Sequence, residues 1–362
     1  MKKILSLLLV FALTLSLVAC SNSAPSGNTS PSGAAPSSNS PDQSSSIPSS
    51  SDKKFVIGAL VYKYDDVYLS TVRAAMQKYC DAAGNIELKM YDGQGDQGKQ
   101  LDQLDAILQD KIDCLFVNMC DQSSTQTVID GVKDKDIPLV FFNREPLDIN
   151  VLKDYDKSIF VGTNAKDAGI MQGDMLAEIW NSDKSWDRNG DGKVQYVVFK
   201  GEADNLEAIA RTEYCQSEAK DKGLNMDMIT PVQVCDWTAE KAMNAMEAIL
   251  ASNSDVEAVL CNNDDMATGV ISALQNNSFN TGAVDSKKMI VLGVDATDAA
   301  KSAIASGYMQ GTVKQDGDAM AKACVEIAQN YMNGKGALDG TSYKLDDTGV
   351  AIRIPYAPFT GK

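Results

Sequence analysis

Histidine is absent from the 362-residue chain. Without imidazole, the sequence excludes Ser–His–Asp triads and most zinc sites, and only carboxylate, thiol or amine groups are left for catalysis. Basic residues are also sparse, since 33 Lys and Arg stand against 49 Asp and Glu, a formal charge of -16. No dense Lys/Arg cluster offsets that charge, and no G-x-x-x-x-G-K-[ST] phosphate loop occurs. We therefore predict no nucleic-acid partner.

Paired cysteine motifs are missing as well. The chain has 8 cysteines, but none forms the C-x-x-C pairs of common zinc and redox sites. Several lie in apolar runs, such as Cys114 in DCLFVN and Cys261 in AVLCNN. This setting predicts buried thiols that pack as small hydrophobic groups, while a disulfide stays open as an alternative in an exported chain.

The N-terminus has the pattern of an export signal. Met1, Lys2 and Lys3 precede a short apolar stretch that ends in LVAC at Cys20, and the stretch is too short for a convincing membrane-spanning helix. The LVAC ending resembles the bacterial lipobox, which implies that residues 1–20 are a lipoprotein signal peptide and that Cys20 is lipidated. An ordinary signal peptide with a chance cysteine is the alternative. A lipid anchor would hold the exported protein at the periplasmic or outer face of the cytoplasmic membrane.

Residues 21–52 consist almost entirely of Ser, Pro, Gly, Asn and Ala. Such a composition cannot bury enough apolar surface to offset chain entropy, so we expect a disordered tether.

From Phe55 onward, short β-branched runs alternate with segments of helical period. FVIGALVY, IELKMY, CLFVN and LVFF form one series, and SIFVG, VQYVVFK, EAVLCNN and MIVLGV form a second. Continuous apolar strands between helices predict parallel sheets that are covered on both faces. Two series predict two doubly wound α/β domains. Ligands of such sheets bind beyond the carboxyl ends of the strands.

Planar polar side chains recur after these strands. They stand in the segments YKYDDVY from Tyr62, NREP from Asn143, KGE from Lys200, CNND from Cys261 and GVD from Gly293. Asp, Asn and Arg each present two hydrogen-bonding atoms in a plane, which suits adjacent hydroxyls of a sugar, while aromatic rings suit its C–H face. Any single Asn or Asp could instead cap a helix or form a turn.

The sequence from about residue 55 to 356 resembles the galactose/glucose-binding proteins of bacterial sugar uptake. The resemblance is carried by IGALVYKYDD, DQGKQLDQLD, IPLVFFNREP, VGTNAKDAGIMQGD, WDRNGDGKVQY, NNDDMATG, GVDA and GTVKQD. It implies the type I periplasmic binding protein fold, two Rossmann-like lobes joined by a three-strand hinge. The expected N-terminal lobe comprises residues 53–161 and 310–343, and the C-terminal lobe comprises 162–309 and 344–362.

The same resemblance implies a sugar site. Tyr68 and Trp237 would sandwich the pyranose, and Asp66 would accept from the 4-hydroxyl in either epimer. The other implied contacts are Asn143, Arg211, Asn263 and Asp295, with Tyr62 at the cleft wall. Three implied contacts depart from the family pattern: Asn205 replaces a histidine, Glu207 an aspartate and Gln315 an asparagine. Because a polar site can reject an analogue that lacks one hydroxyl by about 10⁴-fold, these changes affect which sugar is preferred.

A D-x-N-x-D-G segment begins at Asp187 and reads as the first positions of an EF-hand-type calcium loop. Its expected ligands are Asp187, Asn189, Asp191, Lys193 through its backbone carbonyl, and Gln195. Position twelve is Val198, so the last carboxylate must come from elsewhere, and the resemblance implies Glu257. A surface turn is the alternative. Bound Ca2+ would have a structural role.

The resemblance implies a non-enzymatic binding protein, a monomer that closes on D-galactose, D-glucose or methyl-galactoside. It would deliver the sugar to the permease subunits of an ABC transporter, and a chemoreceptor is a further possible partner. A different monosaccharide is the nearest alternative. A sugar-responsive repressor would need a DNA-binding head where this chain has a signal and tether, and a glycosidase would need paired carboxylates among Asp66, Asp295 and Glu207.

Overall fold

The computed structural model describes residues 53–252 and 255–361. The predicted signal peptide, the tether and Cys20 lie outside these residues. The strands are β1 (Phe55–Val61), β2 (Ile86–Asp92), β3 (Cys114–Val117), β4 (Leu139–Phe142), β5 (Ser158–Gly162), β6 (Val194–Lys200), β7 (Met226–Met228), β8 (Gln233–Val234), β9 (Ala258–Cys261), β10 (Ile290–Asp295), β11 (Gly311–Lys314), β12 (Ala351–Arg353) and β13 (Ala357–Phe359). Several are apolar and buried along nearly their whole length, as expected for strands covered on both faces.

Helices follow most of the strands. They are α1 (Val67–Ala83), α2 (Gln97–Ile107), α3 (Thr125–Lys133), α4 (Ala165–Ser182), α5 (Leu206–Asp221), α6 (Ala239–Ser252), α7 (Asp264–Asn276), α8 (Asp298–Ala305) and α9 (Gly317–Met332). Many begin at an Asp, Asn or Thr whose side chain accepts a hydrogen bond from the first turn, which satisfies one of the free amides there.

The strands form two sheets of doubly wound topology. The first has the order β12-β5-β4-β3-β1-β2, and the second has the order β13-β11-β10-β9-β6-β7, with β8 also beside β6. All pairings in the first sheet are parallel, and in the second only the β11–β13 pair is antiparallel. Separate buried clusters cover the faces of each sheet. The predicted fold of two Rossmann-like lobes is therefore confirmed.

The chain passes between the sheets at three places, residues 163–164, 315–316 and 354–356, which we name the crossover segments. Sheet membership differs here from the lobes expected from the sequence. β11 pairs with β10, so residues 311–314 belong to the second lobe rather than the first. β12 pairs with β5, so residues 351–353 belong to the first lobe rather than the second. Each crossover begins only after a paired strand has ended, so the three crossovers lie about two, five and ten residues beyond the boundaries expected from the sequence.

The seven cysteines from Cys80 to Cys324 are all buried and none is in a disulfide, which confirms the prediction of packed thiols. Burial raises the pKa of the thiols, for example to about 12 at Cys80 and Cys215. No helix within residues 53–252 and 255–361 has both the length and the hydrophobicity that crossing a bilayer requires.

Candidate functional site

A cavity lies between the two lobes at the carboxyl ends of their strands. It is lined by Tyr62, Asp66, Tyr68, Leu69, Asn143, Arg144, Asn205, Glu207, Arg211, Trp237, Asn263, Asp295 and Gln315. Every side chain that the sequence analysis assigned to a sugar site is among them. Leu69 and Arg144 were not predicted as site residues, although Arg144 lies in the NREP segment that the sequence analysis had singled out.

Three of the predicted side chains also cap helices, so the capping and cavity-lining interpretations hold together. Asp66 Oδ1 accepts from Leu69 N at 2.8 Å, and Asn205 and Asn263 accept equivalent bonds at 3.0 Å. A cap uses one side-chain oxygen. The second oxygen of Asp66 has no hydrogen bond within the part of the chain that the structure describes, and it is left for the cavity.

Trp237 is held in place by unusual local backbone. Its φ is 67° and that of Asp236 is 47°, both in the left-handed region. Asn263 Nδ2 donates to the Trp237 carbonyl at 3.1 Å. A Cβ on Gly201 would stand 2.3 Å from the indole ring, so only glycine leaves room for the indole there. Strained backbone that surrounding contacts maintain is typical of ligand sites.

The deepest polar contacts of the cavity form a ring of hydrogen bonds. Arg211 Nη2 donates to Tyr356 OH at 2.8 Å and to Glu207 Oε2 at 3.2 Å. Thr163 Oγ1 donates to Glu207 Oε1 at 3.0 Å and lies 2.9 Å from Tyr356 OH. Since the Thr163 proton points to Glu207, Tyr356 must be the donor to Thr163.

This ring joins the cavity to all three crossover segments. Thr163 is in the first and Tyr356 in the third, while Gln315 in the second accepts from Arg211 Nη2 at 2.9 Å. Arg211 Nη1 donates to the carbonyl of Asn262 at 2.9 Å. Neither Thr163 nor Tyr356 was predicted as a site residue. Thr163 stands in the quoted VGTN segment, but nothing in the spacing pointed to Tyr356.

Unused hydrogen-bonding atoms remain around the cavity. Within residues 53–252 and 255–361, the buried donors Arg144 Nε, Arg211 Nε and Gln315 Nε2 have no partner. The carboxyl groups of Asp66 and Asp295 also line the cavity. Burial raises the pKa of Asp66, and it raises that of Asp295 well above the usual range. Buried polar groups are normally paired, so these atoms indicate a ligand that both donates and accepts hydrogen bonds.

The predicted calcium loop forms the compact turn expected from its glycines. Asp187 accepts the amides of Gly190 and Gly192 at 2.8 and 3.0 Å, and Asp191 Oδ2 accepts Gln195 Nε2 at 2.8 Å. Glu257 lies beside the loop, accepting the amides of Arg188 at 2.7 Å and Gln195 at 3.3 Å. Burial raises the pKa of Glu257.

One buried oxygen of this loop, Gln195 Oε1, has no hydrogen-bond partner among the described residues. Asp187, Asn189, Asp191, Gln195 and Glu257 supply carboxylate and amide oxygens, which are the donors that Ca2+ prefers. However, no three Asp, Glu, Cys or His side chains within the described ranges converge as a metal ion would require. The donor atoms fit calcium. Because few carboxylates converge, much of the coordination would come from amide and carbonyl oxygens, including the backbone carbonyl of Lys193.

Comparisons with known proteins agree with this architecture. The family model described as a periplasmic binding protein domain matches residues 57–336. The D-galactose/methyl-galactoside binding periplasmic protein MglB of Haemophilus influenzae is 35% identical over 315 residues, 86% of this chain and 91% of that protein. A putative rhizopine-binding protein of Rhizobium meliloti is 29% identical over 280 residues, 77% of this chain and 85% of that protein.

Solved structures share the fold. An ABC transporter solute binding protein from Bacillus halodurans with bound myo-inositol has a TM-score of 0.70 at 25% identity, covering 86% of this chain and 96% of that chain. One from Clostridium phytofermentans with bound β-D-glucose has a TM-score of 0.68 at 20% identity, covering 84% and 94%. The family model matches most of the chain and the two lobes have the corresponding topology: the chain belongs to the periplasmic binding protein family.

Proposed function

We propose that this protein captures a hexose by closure of its two lobes and delivers it to an ABC transporter. The observation that carries the proposal is the cavity, where three aromatic side chains, unpaired Arg and Gln donors and the carboxyl groups of Asp66 and Asp295 stand together between the lobes. Hydroxyl groups both donate and accept, so a neutral polyol can satisfy each of these atoms. A relative at 35% identity is described as binding D-galactose and methyl-galactoside, which supports the same ligand class.

Closure follows from the origin of the lining residues. Tyr62, Asp66 and Asn143 belong to the first lobe, while Trp237 and Asp295 belong to the second. A sugar that contacts both sets stabilises the closed arrangement by the contacts that an open arrangement lacks. Arg211 is hydrogen-bonded to Gln315 and Tyr356 in two crossover segments, and through Glu207 it is linked to Thr163 in the first. We therefore infer that a sugar on Arg211 also steadies the hinge.

We propose D-galactose, D-glucose or methyl-galactoside as the ligand. Glu207 and Gln315 both point to Arg211 rather than standing alone. Glu207 and Gln315 are each one methylene longer than the aspartate and asparagine of the family pattern, so their hydrogen-bonding atoms lie at different positions around Arg211. Another monosaccharide is therefore the second candidate ligand. Solved relatives with other bound ligands, such as myo-inositol, show that this fold accepts more than one polyol.

Isothermal titration of residues 52–362, a compact unit of the chain, tests the proposal with D-galactose and D-glucose in calcium-containing buffer. We expect micromolar or tighter binding of at least one epimer and no hydrolysis of nitrophenyl galactoside or glucoside. If neither hexose binds, and no member of a panel of pentoses, inositols and methyl-galactoside binds, a monosaccharide-binding function is refuted. Turnover of a glycoside would instead favour the glycosidase alternative. The same preparation, examined by light scattering, tests the expectation of a monomer.

We also propose that the loop from Asp187 to Gln195, with Glu257, holds a structural Ca2+. A bound ion stabilises the folded state by about 2.7 kcal/mol at a concentration 100-fold above its Kd. Chelation should therefore lower Tm in the parent, and the Asp187→Ala variant should not respond. Asp339→Ala, which removes a carboxylate from another surface turn, is the control and should respond like the parent. An unchanged parent Tm on chelation would make the loop a simple turn.

Export and lipidation at Cys20 complete the proposal. They rest on the N-terminal pattern and on a family whose members are described as periplasmic. Labelling of the full-length protein with a radioactive fatty acid in cells tests the anchor, with Cys20→Ala as the variant that should lose the label. The membrane partner we propose is an ABC transporter permease, and nothing in the structure favours a chemoreceptor.

A further inference from the structure

A direct contact joins the two lobes beside the cavity. Glu202 follows β6 in the second lobe, and its carboxylate meets two side chains of the first lobe. Oε1 accepts from Tyr62 OH, and Oε2 lies 2.9 Å from Arg144 Nη1. Both oxygens of one carboxylate are therefore used by the opposite lobe.

The first-lobe partners are fixed within their own lobe. Arg144 Nη2 donates to the carbonyl of Cys120 at 3.0 Å, and the guanidinium lies 4.1 Å from the centroid of the Tyr62 ring. The Arg144 side chain is only 8% exposed, compared with 28% for Glu202. Stacking of a guanidinium on an aromatic ring orients both groups. Arg144 and Tyr62 are thus pre-oriented to bind a carboxylate of the second lobe.

Glu202 itself does not line the cavity, whereas Tyr62 and Arg144 do. Its contact can exist only when the lobes are close together, because its partners belong to the opposite sheet. Opening would leave Arg144 with the Cys120 carbonyl and return Glu202 to water. The contact therefore contributes free energy to the closed state alone.

We propose that Glu202 is a positioning residue that acts through Tyr62 and Arg144 as a cross-cleft latch, setting how long the closed protein retains its ligand. The proposal rests on the hexose-capture function proposed above and adds a residue to it. A latch formed after the ligand has entered slows dissociation and has little effect on association. A hydrogen-bonded charge pair changes an equilibrium by about 10- to 100-fold, and the solvent exposure of Glu202 places the expected effect near the lower end.

Glu202→Gln keeps the size of the side chain and an acceptor for Tyr62 but removes the charge. The chain offers a close control in Asp318, whose carboxylate also meets a lysine and a tyrosine, Lys78 at 2.8 Å and Tyr79 at 2.6 Å, all within the first lobe. Asp318→Asn therefore repeats the chemical change without crossing the cleft.

The experiment is stopped-flow and calorimetric titration of the parent and both variants with D-galactose and D-glucose, together with small-angle X-ray scattering with and without sugar. For Glu202→Gln we expect about 10-fold weaker binding, nearly all of it in a faster dissociation rate. Asp318→Asn should stay within about twofold of the parent in affinity. An Arg144→Gln variant and the double variant complete a cycle, in which the two losses should not add.

Equal dissociation rates for the parent and Glu202→Gln would overturn the latch, as would an equal loss in Asp318→Asn. If no hexose binds the parent, the proposed function fails and the ligand-free scattering decides the latch by itself. A larger radius of gyration for Glu202→Gln than for the parent would then support the latch, and identical radii would reject it.

Discussion

Replacement of Tyr356 by phenylalanine tests whether the cavity arginine depends on the hinge. The hydroxyl of Tyr356 accepts from Arg211 at 2.8 Å and lies 2.9 Å from Thr163. Burial is the main reason that the pKa of Tyr356 is raised, so the hydroxyl stays protonated at neutral pH and can donate to Thr163. Tyr356→Phe removes both bonds with almost no change in shape.

The expected losses of stability and affinity in Tyr356→Phe follow from the hydrogen bonds that are removed and those that Arg211 retains. Loss of a bond to a charged donor costs about 1.5–3 kcal/mol, and loss of a neutral bond adds about 1 kcal/mol. The free energy of unfolding should therefore fall by about 2.5–4 kcal/mol. Arg211 retains Glu207, Gln315 and the Asn262 carbonyl, so its displacement should be limited and hexose affinity should fall about 10-fold, which corresponds to about 1.4 kcal/mol.

Urea unfolding and calorimetric titration with D-galactose and D-glucose measure the two effects. Tyr343→Phe is the matched control, since the Tyr343 hydroxyl donates to Glu326 at 2.8 Å within the first lobe and away from the crossover segments. It should lower stability by about 1.5 kcal/mol, the lower end for a bond to a charged group because the site is partly exposed, and leave affinity unchanged. Unchanged affinity in Tyr356→Phe would refute the coupling of Arg211 to the hinge.

Three further changes test other parts of the site. Trp237→Ala should weaken hexose binding by about 30-fold or more, since buried tryptophan contacts commonly contribute at least about 2 kcal/mol, and circular dichroism should show an intact fold. Gly201→Ala should displace the indole ring that its Cβ would meet at 2.3 Å, and titration should show weaker binding with a changed tryptophan fluorescence. Burial raises the pKa of Asp264 to about 6 from 3.8. Between about pH 4 and 6, Asp264 is therefore protonated in the folded state and ionised in the unfolded state. The energetic cost of ionising Asp264 therefore disappears as pH falls from 7 towards 4, a gain of about 2–3 kcal/mol in the free energy of unfolding. Asp264→Asn should make this pH dependence shallower in urea titrations, while the raised pKa of Asp295 leaves part of it.

The fold was largely predictable because its signal is local. Runs such as LVFF and MIVLGV are apolar at every position, which occurs in strands that are covered on both faces, and the helical segments between them carry one apolar side. The lobe boundaries were displaced because β11 and β12 are short, and only their pairing partners reveal which sheet each one joins.

The positions of the cavity residues were predicted better than their connections. Strand ends and motif resemblance named Asp66, Asn205 and Trp237 correctly as neighbours, because the carboxyl ends of parallel strands meet at one edge. Tyr356 could not be found in this way, since it lies in a crossover far along the chain and its hydroxyl matters only through its contact with Arg211. The role proposed for Glu202 could not be predicted for the same reason. Its contact joins two lobes, and the spacing of residues within one segment gives no information about such a contact.

Two contact systems act at opposite sides of the cavity. At the hinge side, Arg211 and Glu207 are tied to the crossover segments through Thr163 and Tyr356, contacts that need no lobe movement to form. Across the cleft, Glu202 meets its first-lobe partners only when the lobes have closed. A ligand can therefore be oriented first by the hinge-side groups and retained afterwards by the Glu202 contact. It follows that changes at Tyr356 should alter both stability and affinity, whereas changes at Glu202 should lower affinity through faster dissociation, and the two variants together separate orientation of the ligand from its retention.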